Sequence, residues 1–346
     1  MDLNIHACSD GEEALAKGNW VKLICGASNQ DLPAISDLCA VYATAGVHCI
    51  DVAPDAAVVC AAREALDWVE AAIGIRPWLM ISLSDGADKH FRKAWFDPKR
   101  CPLTCPRPCQ SKCPAKAITN FAGVNTKRCY GCGRCLSACP LGLIEEKEEH
   151  LCIKDFAPLI AELRPDAIEI HTAPGRQKEF QKTVAAIMKA NVSFKRVAVS
   201  CGLQGYGINS EELAQELWER HACLRHHEQK PLWQLDGRRM SGDIGKGTAK
   251  AAVDLWAKLH PLAPPGPLQL AGGTNAKTIQ YFLNQNGPAG IAFGGMARQL
   301  IQPWLLKADA NQISLREWPE GWQAALAAAK QLVNPWLFRK SGPEVC

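Results

Sequence analysis

Eight of the chain's 17 cysteines fall in the 39 residues from Cys101 to Cys139. Thiols this dense, in a chain with no sign of export, point to metal or redox chemistry and away from disulfides. The thiols form two runs. The downstream run, "CYGCGRCLSACP", places Cys129, Cys132, Cys135 and Cys139 at C-x2-C-x2-C-x3-C and ends in Pro140. This is the bacterial ferredoxin spacing, in which three thiolates wrap a [4Fe–4S] cluster and the fourth reaches a second one. Gly131 and Gly133 give the tight loop freedom to bend. The closing proline has no N–H to donate and turns the chain away. Structural zinc is the alternative, but it usually takes two cysteine pairs across a spacer.

The upstream run, "CPLTCPRPCQSKCP", is looser. Cys101, Cys105, Cys109 and Cys113 stand at C-x3-C-x3-C-x3-C, again closed by a proline. That spacing misses the radical-SAM pattern C-x3-C-x2-C by one residue in its final gap. Between the runs, "AKAITNFAGVNTKR" has the β-branched residues and glycine of a hairpin. Two runs so linked predict two clusters with exchanged ligands. Cys101, Cys105, Cys109 and Cys139 would hold one, and Cys129, Cys132, Cys135 and Cys113 the other. The remaining cysteines, such as Cys25 and Cys49, sit in apolar runs and read as small buried hydrophobes.

Charge adds a second constraint. From Lys89 to Arg134 there are eleven Lys or Arg and a single acid, Asp97. A cubane on four thiolates is a net anion, so nearby cations balance it. The same charge would suit an acidic electron-transfer partner. The acidic run from Glu145 to Glu149 reads as a solvated face. The whole chain is only mildly basic, at +4, which does not suggest a nucleic-acid binder. Its first twenty residues show no apolar signal core, and no run of 18 apolar residues exists. No transmembrane segment and a cytoplasmic location are therefore expected. There, cysteines serve metal or redox chemistry instead of disulfides.

Around the cysteine segment, short apolar runs alternate with helical patterns. "VKLICGAS", "HCIDVA" and "WLMISLS" precede it; "DAIEIHTA", "RVAVSCG", "PLWQLDG", "PLQLAGG" and "GIAFGG" follow. Eight strands, each followed by a helix, over roughly 250 residues predict a (β/α)8 TIM-like barrel. Near-continuous apolar strands fit a parallel sheet buried on both faces. An open doubly wound sheet is the alternative. The expected division is a discontinuous barrel over 18–84 and 152–335, with a two-[4Fe–4S] ferredoxin-like domain inserted at 85–151 after the third strand. Residues 1–17 and 336–346 are terminal extensions.

The insert would leave from the C-terminal face, where barrel active sites are built. Polar residues end the strands there: Asp51, Ser84, Glu169, His171, Ser200, Cys201, Asp236 and Arg239. His171 and Asp236 are the strongest candidates for chemistry, although such residues as often anchor loops. The last two strands end in Gly272–Gly273 and Gly294–Gly295. Loops at these places often bind phosphate, so the four glycines are candidate contacts for a flavin or another phosphate-bearing ligand.

Several stretches resemble the cyanobacterial light-dependent period (LdpA) family: "WVKLICGASNQDLPAISDL", "CIDVA", the paired cysteine runs and "WQLDGRRMSGDIGKG". The resemblance covers nearly the whole chain. It implies a soluble iron–sulfur protein with two [4Fe–4S] clusters that reports redox state, and so light, to the circadian clock. Its implied partners are clock components, including histidine kinases and the protein that stimulates clock phosphorylation. The resemblance brings no catalytic residues. Two functional classes result. One is a redox sensor or electron carrier. The other is an oxidoreductase whose clusters feed electrons to a phosphate-bearing ligand in the barrel mouth.

Overall fold

The computed structural model describes residues 10–119, 122–148, 151–238, 247–283 and 286–340. Eight parallel strands close into a barrel. They are β1 (Trp20–Ile24), β2 (Cys49–Val52), β3 (Trp78–Ser84), β4 (Ala167–His171), β5 (Arg196–Cys201), β6 (Pro231–Asp236), β7 (Leu268–Ala271) and β8 (Gly290–Phe293). Closure is made by β1 on β8, with Trp20 opposite Gly290 and Leu23 opposite Phe293. That pairing excludes the open doubly wound sheet. The strands are buried along almost their whole length, as their apolar runs require.

Local signals set the outer helices. Asp55 accepts the N–H groups of Ala57 and Val58 to start Ala56–Ile73, and Gly74, at φ 71°, ends it. Asn209 and Glu212 make a capping box for Ser210–His226. The helix expected after β7 is only a 3-10 turn, Thr278–Phe282. Here the Asn275 carboxamide takes the Lys277 N–H and the Thr278 hydroxyl takes the Asn275 N–H. Such local bonds compete with an α-helical start.

Within the stretch expected as an N-terminal extension, Gly11–Lys17 forms a helix. Ala14 and Leu15 pack against Trp20, Trp78, Met80 and Leu232, and so close the bottom of the barrel. Above this apolar floor the interior departs from the branched aliphatic layers usual in such barrels. Lys22, Glu169, Gln234 and Gln269 are buried there instead.

Between β3 and β4 the chain builds a small unit on the C-terminal face. Arg92–Trp95 pairs antiparallel with Glu145–Glu148, and Ile118–Thr119 pairs with Gly123–Val124 in the expected hairpin. Within the acidic run Glu145–Glu148 is exposed, as expected, but it is also a strand, and Glu149 lies outside the described residues. Glu146 pairs with Arg92, and the Lys147 ammonium lies 3.8 Å from the Trp95 ring centre. This unit has its own core of Ala94, Phe96, Ala117, Ile118, Tyr130 and Ile144 with four of the cysteines. It is fastened to the barrel by the Gln30 N–H on the Lys127 carbonyl, at 2.9 Å, and by Arg128 on Asp31 and Asp309.

Candidate functional site

The two cysteine runs repeat one local geometry. In the upstream run, Arg107 (φ 50°) precedes the short helix Pro108–Lys112, and Cys113 follows at φ −78°, ψ 109°. In the downstream run, Gly133 (φ 74°) precedes Arg134–Ala138, and Cys139 follows at φ −77°, ψ 111°. Each closing cysteine then accepts an N–H from four residues on. Ala117 donates to the Cys113 sulfur at 3.3 Å, and Leu143 to the Cys139 sulfur at 3.4 Å. The Ala94 N–H donates to the Cys129 sulfur at 3.3 Å. Counted back from the helix, Arg107, Pro108 and Cys109 match Gly133, Arg134 and Cys135, so the extra residue of the upstream gap, Pro106, falls before the shared turn.

The closing cysteines sit with the opposite run. Cys113 lines one small apolar cavity together with Cys129, Cys132 and Cys135, walled by Ala94, Ile118 and Tyr130. Burial, then the thiolates of Cys132, Cys129 and Cys113, push the Cys135 thiol up to about 12. Four sulfurs this close cannot all ionise without a cationic centre among them. Cys109 is raised in the same way, by burial and then by Cys139, Cys101 and Cys105. Two sets of four thiols, with backbone donors turned toward sulfur, fit iron–sulfur clusters. Gly131 makes the turn possible: at φ 72°, a Cβ there would stand 2.1 Å from the Arg92 carbonyl oxygen.

A second polar site fills the barrel mouth. Lys22 pairs with Glu169, and lies 3.5 Å from Asp51. Burial opposes its charge, but these carboxylates raise it further above the usual lysine range. The other Glu169 oxygen accepts from Gln234, at 2.6 Å, and from His171 Nε2, at 3.0 Å. Burial would raise Glu169; Lys22 and His171 instead bring it down to about 2. His171 Nδ1 meets Asp88 at 2.7 Å, and Asp88 also meets His90 at 2.9 Å. Burial alone would lower His171, yet the carboxylates on both sides raise it well above its usual value. One ligand atom from each of Asp88, His90 and His171 lies within 4.8 Å of the others.

Asp51 accepts from Ser82 at 2.8 Å, and Asp236 accepts from Ser200. Burial, only partly offset, raises both carboxyls to about 6. Of the other strand-end candidates, Ser84 turns back to the Gly86 carbonyl and Cys201 donates to the Gln234 carbonyl. Arg239 lies outside the described residues. Lys22, Asp88, His90, Gln234 and Tyr130 join the site without having been expected. A lysine inside the apolar run "VKLI" was the visible signal for the first.

Tyr130 links the two sites. It walls the thiol cavity and also the mouth cavity, with Asp51, Glu169, His171 and Asp236. The Arg298 guanidinium lies 4.0 Å from its ring centre and donates to the Ile24 carbonyl at the end of β1. Among the candidate glycines, Gly272 lines this cavity, at φ 62°. A Cβ on Gly272 would lie 2.4 Å from the Arg238 carbonyl oxygen, and one on Gly273 would lie 2.9 Å from the Thr248 carbonyl oxygen. Close backbone packing therefore requires both. Gly294 caps Gly295–Ala310, with Gly295 buried.

Two family models match the chain. One is the light dependent period A C-terminal domain, over residues 159–335, and the other is the LdpA Fe-S cluster-binding domain, over residues 101–150. Light dependent period A of Synechococcus elongatus is 46% identical over 326 residues, spanning 92% of this chain and 91% of that protein. Among solved structures, the YdjI aldolase from Escherichia coli K12 aligns at 9% identity and TM-score 0.47, covering 96% of both chains. A putative fructose-1,6-biphosphate aldolase from Coccidioides immitis aligns at 12% and 0.45, covering 95% of this chain and 93% of that one. Likenesses this weak bear on no functional argument.

Proposed function

We propose that this chain, which belongs to the light dependent period A family, carries two [4Fe–4S] clusters and reports cellular redox state, and thereby light, to the circadian clock. It acts by electron transfer and by binding clock components, with histidine kinases and the stimulator of clock phosphorylation as the expected partners. The observation that carries the reading is the gathering of Cys113 with Cys129, Cys132 and Cys135 around one cavity. The neighbourhood of Cys109 with Cys139, Cys101 and Cys105 supports it from the other side. Bound there, the clusters would supply one-electron redox chemistry.

The chain's own residues do the rest. The N–H groups of Ala94, Ala117 and Leu143 stabilise charge on sulfur. Residues 85–151 form the inserted ferredoxin-like domain of this reading, and 18–84 with 152–335 form the barrel that carries it. No helix among the described residues is long and apolar enough to cross a membrane.

A second reading makes the chain an oxidoreductase acting on a flavin or another phosphate-bearing ligand in the mouth. The shared Tyr130 wall favours it, since the mouth and the thiol cavity are adjacent. Gly272, Gly273, Gly294 and Gly295 would be the contacts.

One anaerobic preparation tests both. Iron and acid-labile sulfide should each come to about eight per chain. The visible spectrum should show a broad cluster shoulder alone. Zinc without labile sulfide would refute the cluster reading, and resolved flavin bands would favour the second one.

A further inference from the structure

The two thiol sets differ in what surrounds them. Cys113, Cys129, Cys132 and Cys135 face inward, behind Ala94, Ala117, Ile118 and Tyr130 and against the barrel. The set of Cys101, Cys105, Cys109 and Cys139 faces out. Three of its members are half-exposed. Leu103, between Cys101 and Cys105, is 79% exposed, and Leu141, two residues after Cys139, is 51% exposed. Two residues of chain span at most about 7 Å, so both leucines flank the same sulfurs. Lys99, Arg100, Lys112 and Lys116 are exposed in the same segment of chain. From Pro98 to Ile144 the sequence contains no Asp or Glu.

We infer that Leu103 and Leu141, with the cationic rim of Lys99, Arg100 and Lys112, form the docking face for an acidic redox protein. The arrangement is that of a small interface: an apolar centre, a charged rim, and the outward thiols beneath. The two exposed leucines give a partner apolar surface to cover at the centre of that rim. A rim of Lys99, Arg100 and Lys112, with Asp97 as the one acid bonded to it, at the Lys99 N–H, selects a partner of opposite sign and steers it over a Debye length, about 8–10 Å. Basic proteins are turned away by the same field. The inference rests on the two-cluster reading and adds which set faces the partner.

The test uses full-length, cluster-loaded protein, with an acidic plant-type ferredoxin and the basic cytochrome c as probes. Affinity is read by titration calorimetry at low and high salt. Lys99→Glu with Arg100→Glu should weaken ferredoxin binding at least tenfold at low salt, and the difference should vanish near 0.5 M salt. Cytochrome c should bind the charge-reversed protein more tightly. Leu103→Ser with Leu141→Ser should weaken ferredoxin binding at both salts. Unchanged ferredoxin affinity in these variants, or no ferredoxin binding by the parent, would overturn the inference. Iron and sulfide are counted in every sample. A parent without them refutes the cluster reading itself, whereas loaded variants with parental affinity refute only the docking face.

Discussion

Asp236 shows how the barrel mouth stores an electrostatic cost. Its carboxyl accepts from Ser200, and no lysine or arginine pairs with it among the described residues. Burial, then the Glu169 charge, raises it from the usual carboxylate value to about 6. The folded state therefore takes up a proton between about pH 4 and 6 that the unfolded chain does not, so stability falls as pH rises through that window. Above pH 6 the full penalty for a buried charge remains. Asp236→Asn keeps an acceptor for Ser200 and removes the charge. It should stabilise the protein by about 1–2 kcal/mol at pH 8, with the gain disappearing near pH 4. Urea unfolding midpoints at the two pH values measure this. An equal loss of stability at both would mean that Asp236 is held as a favourable anion. Strand-end position made Asp236, Asp51, Glu169 and His171 visible in the sequence as candidates. Their partners were not visible. Asp88 reaches His171 from 83 residues away in sequence, a distance only the folded chain closes.

The same turn recurs in both cysteine runs. It consists of a left-handed residue, one short helix and a closing cysteine that accepts an N–H from four residues on. The downstream turn adds Gly131 beneath the Arg92 carbonyl. Any side chain there must displace the backbone of the Arg92–Trp95 strand and is strained at positive φ as well. Gly131→Ala should therefore lower iron from about eight to about four per chain, with the far-ultraviolet dichroism of the barrel unchanged. Full iron loading would show that the turn tolerates a Cβ. The cysteine spacing and the terminal prolines made this unit legible. The hairpin between the runs was legible from its glycine and β-branched residues. The acidic strand was not, because the partner that orders Glu145–Glu148 is Arg92–Trp95, more than fifty residues upstream. Nor was the missing helix after β7, where Asn275 and Thr278 divert the first backbone bonds.

At the scale of the whole molecule, a barrel with its own core carries a thiol-rich unit with another. Eight apolar runs alternating with helices favoured a barrel by their number, but strands buried on both faces suit an open doubly wound sheet as well, and it is the pairing of β1 with β8 that closes the sheet. The polar interior was legible only in part: Glu169 stood among the strand-end candidates, whereas Lys22 in "VKLI" looks like an interruption until the two pair. Tyr130 and Arg298 join the two parts at the mouth. If each cluster draws ligands from both runs, as proposed, the unit can be completed only as a whole. Electron paramagnetic resonance of the reduced Cys113→Ser protein tests this most directly. The signal of the cluster on Cys129, Cys132 and Cys135 should be altered or lost, while that of the cluster on Cys101, Cys105, Cys109 and Cys139 persists. Loss of the upstream signal, with the downstream one unchanged, would contradict it and assign each run its own cubane.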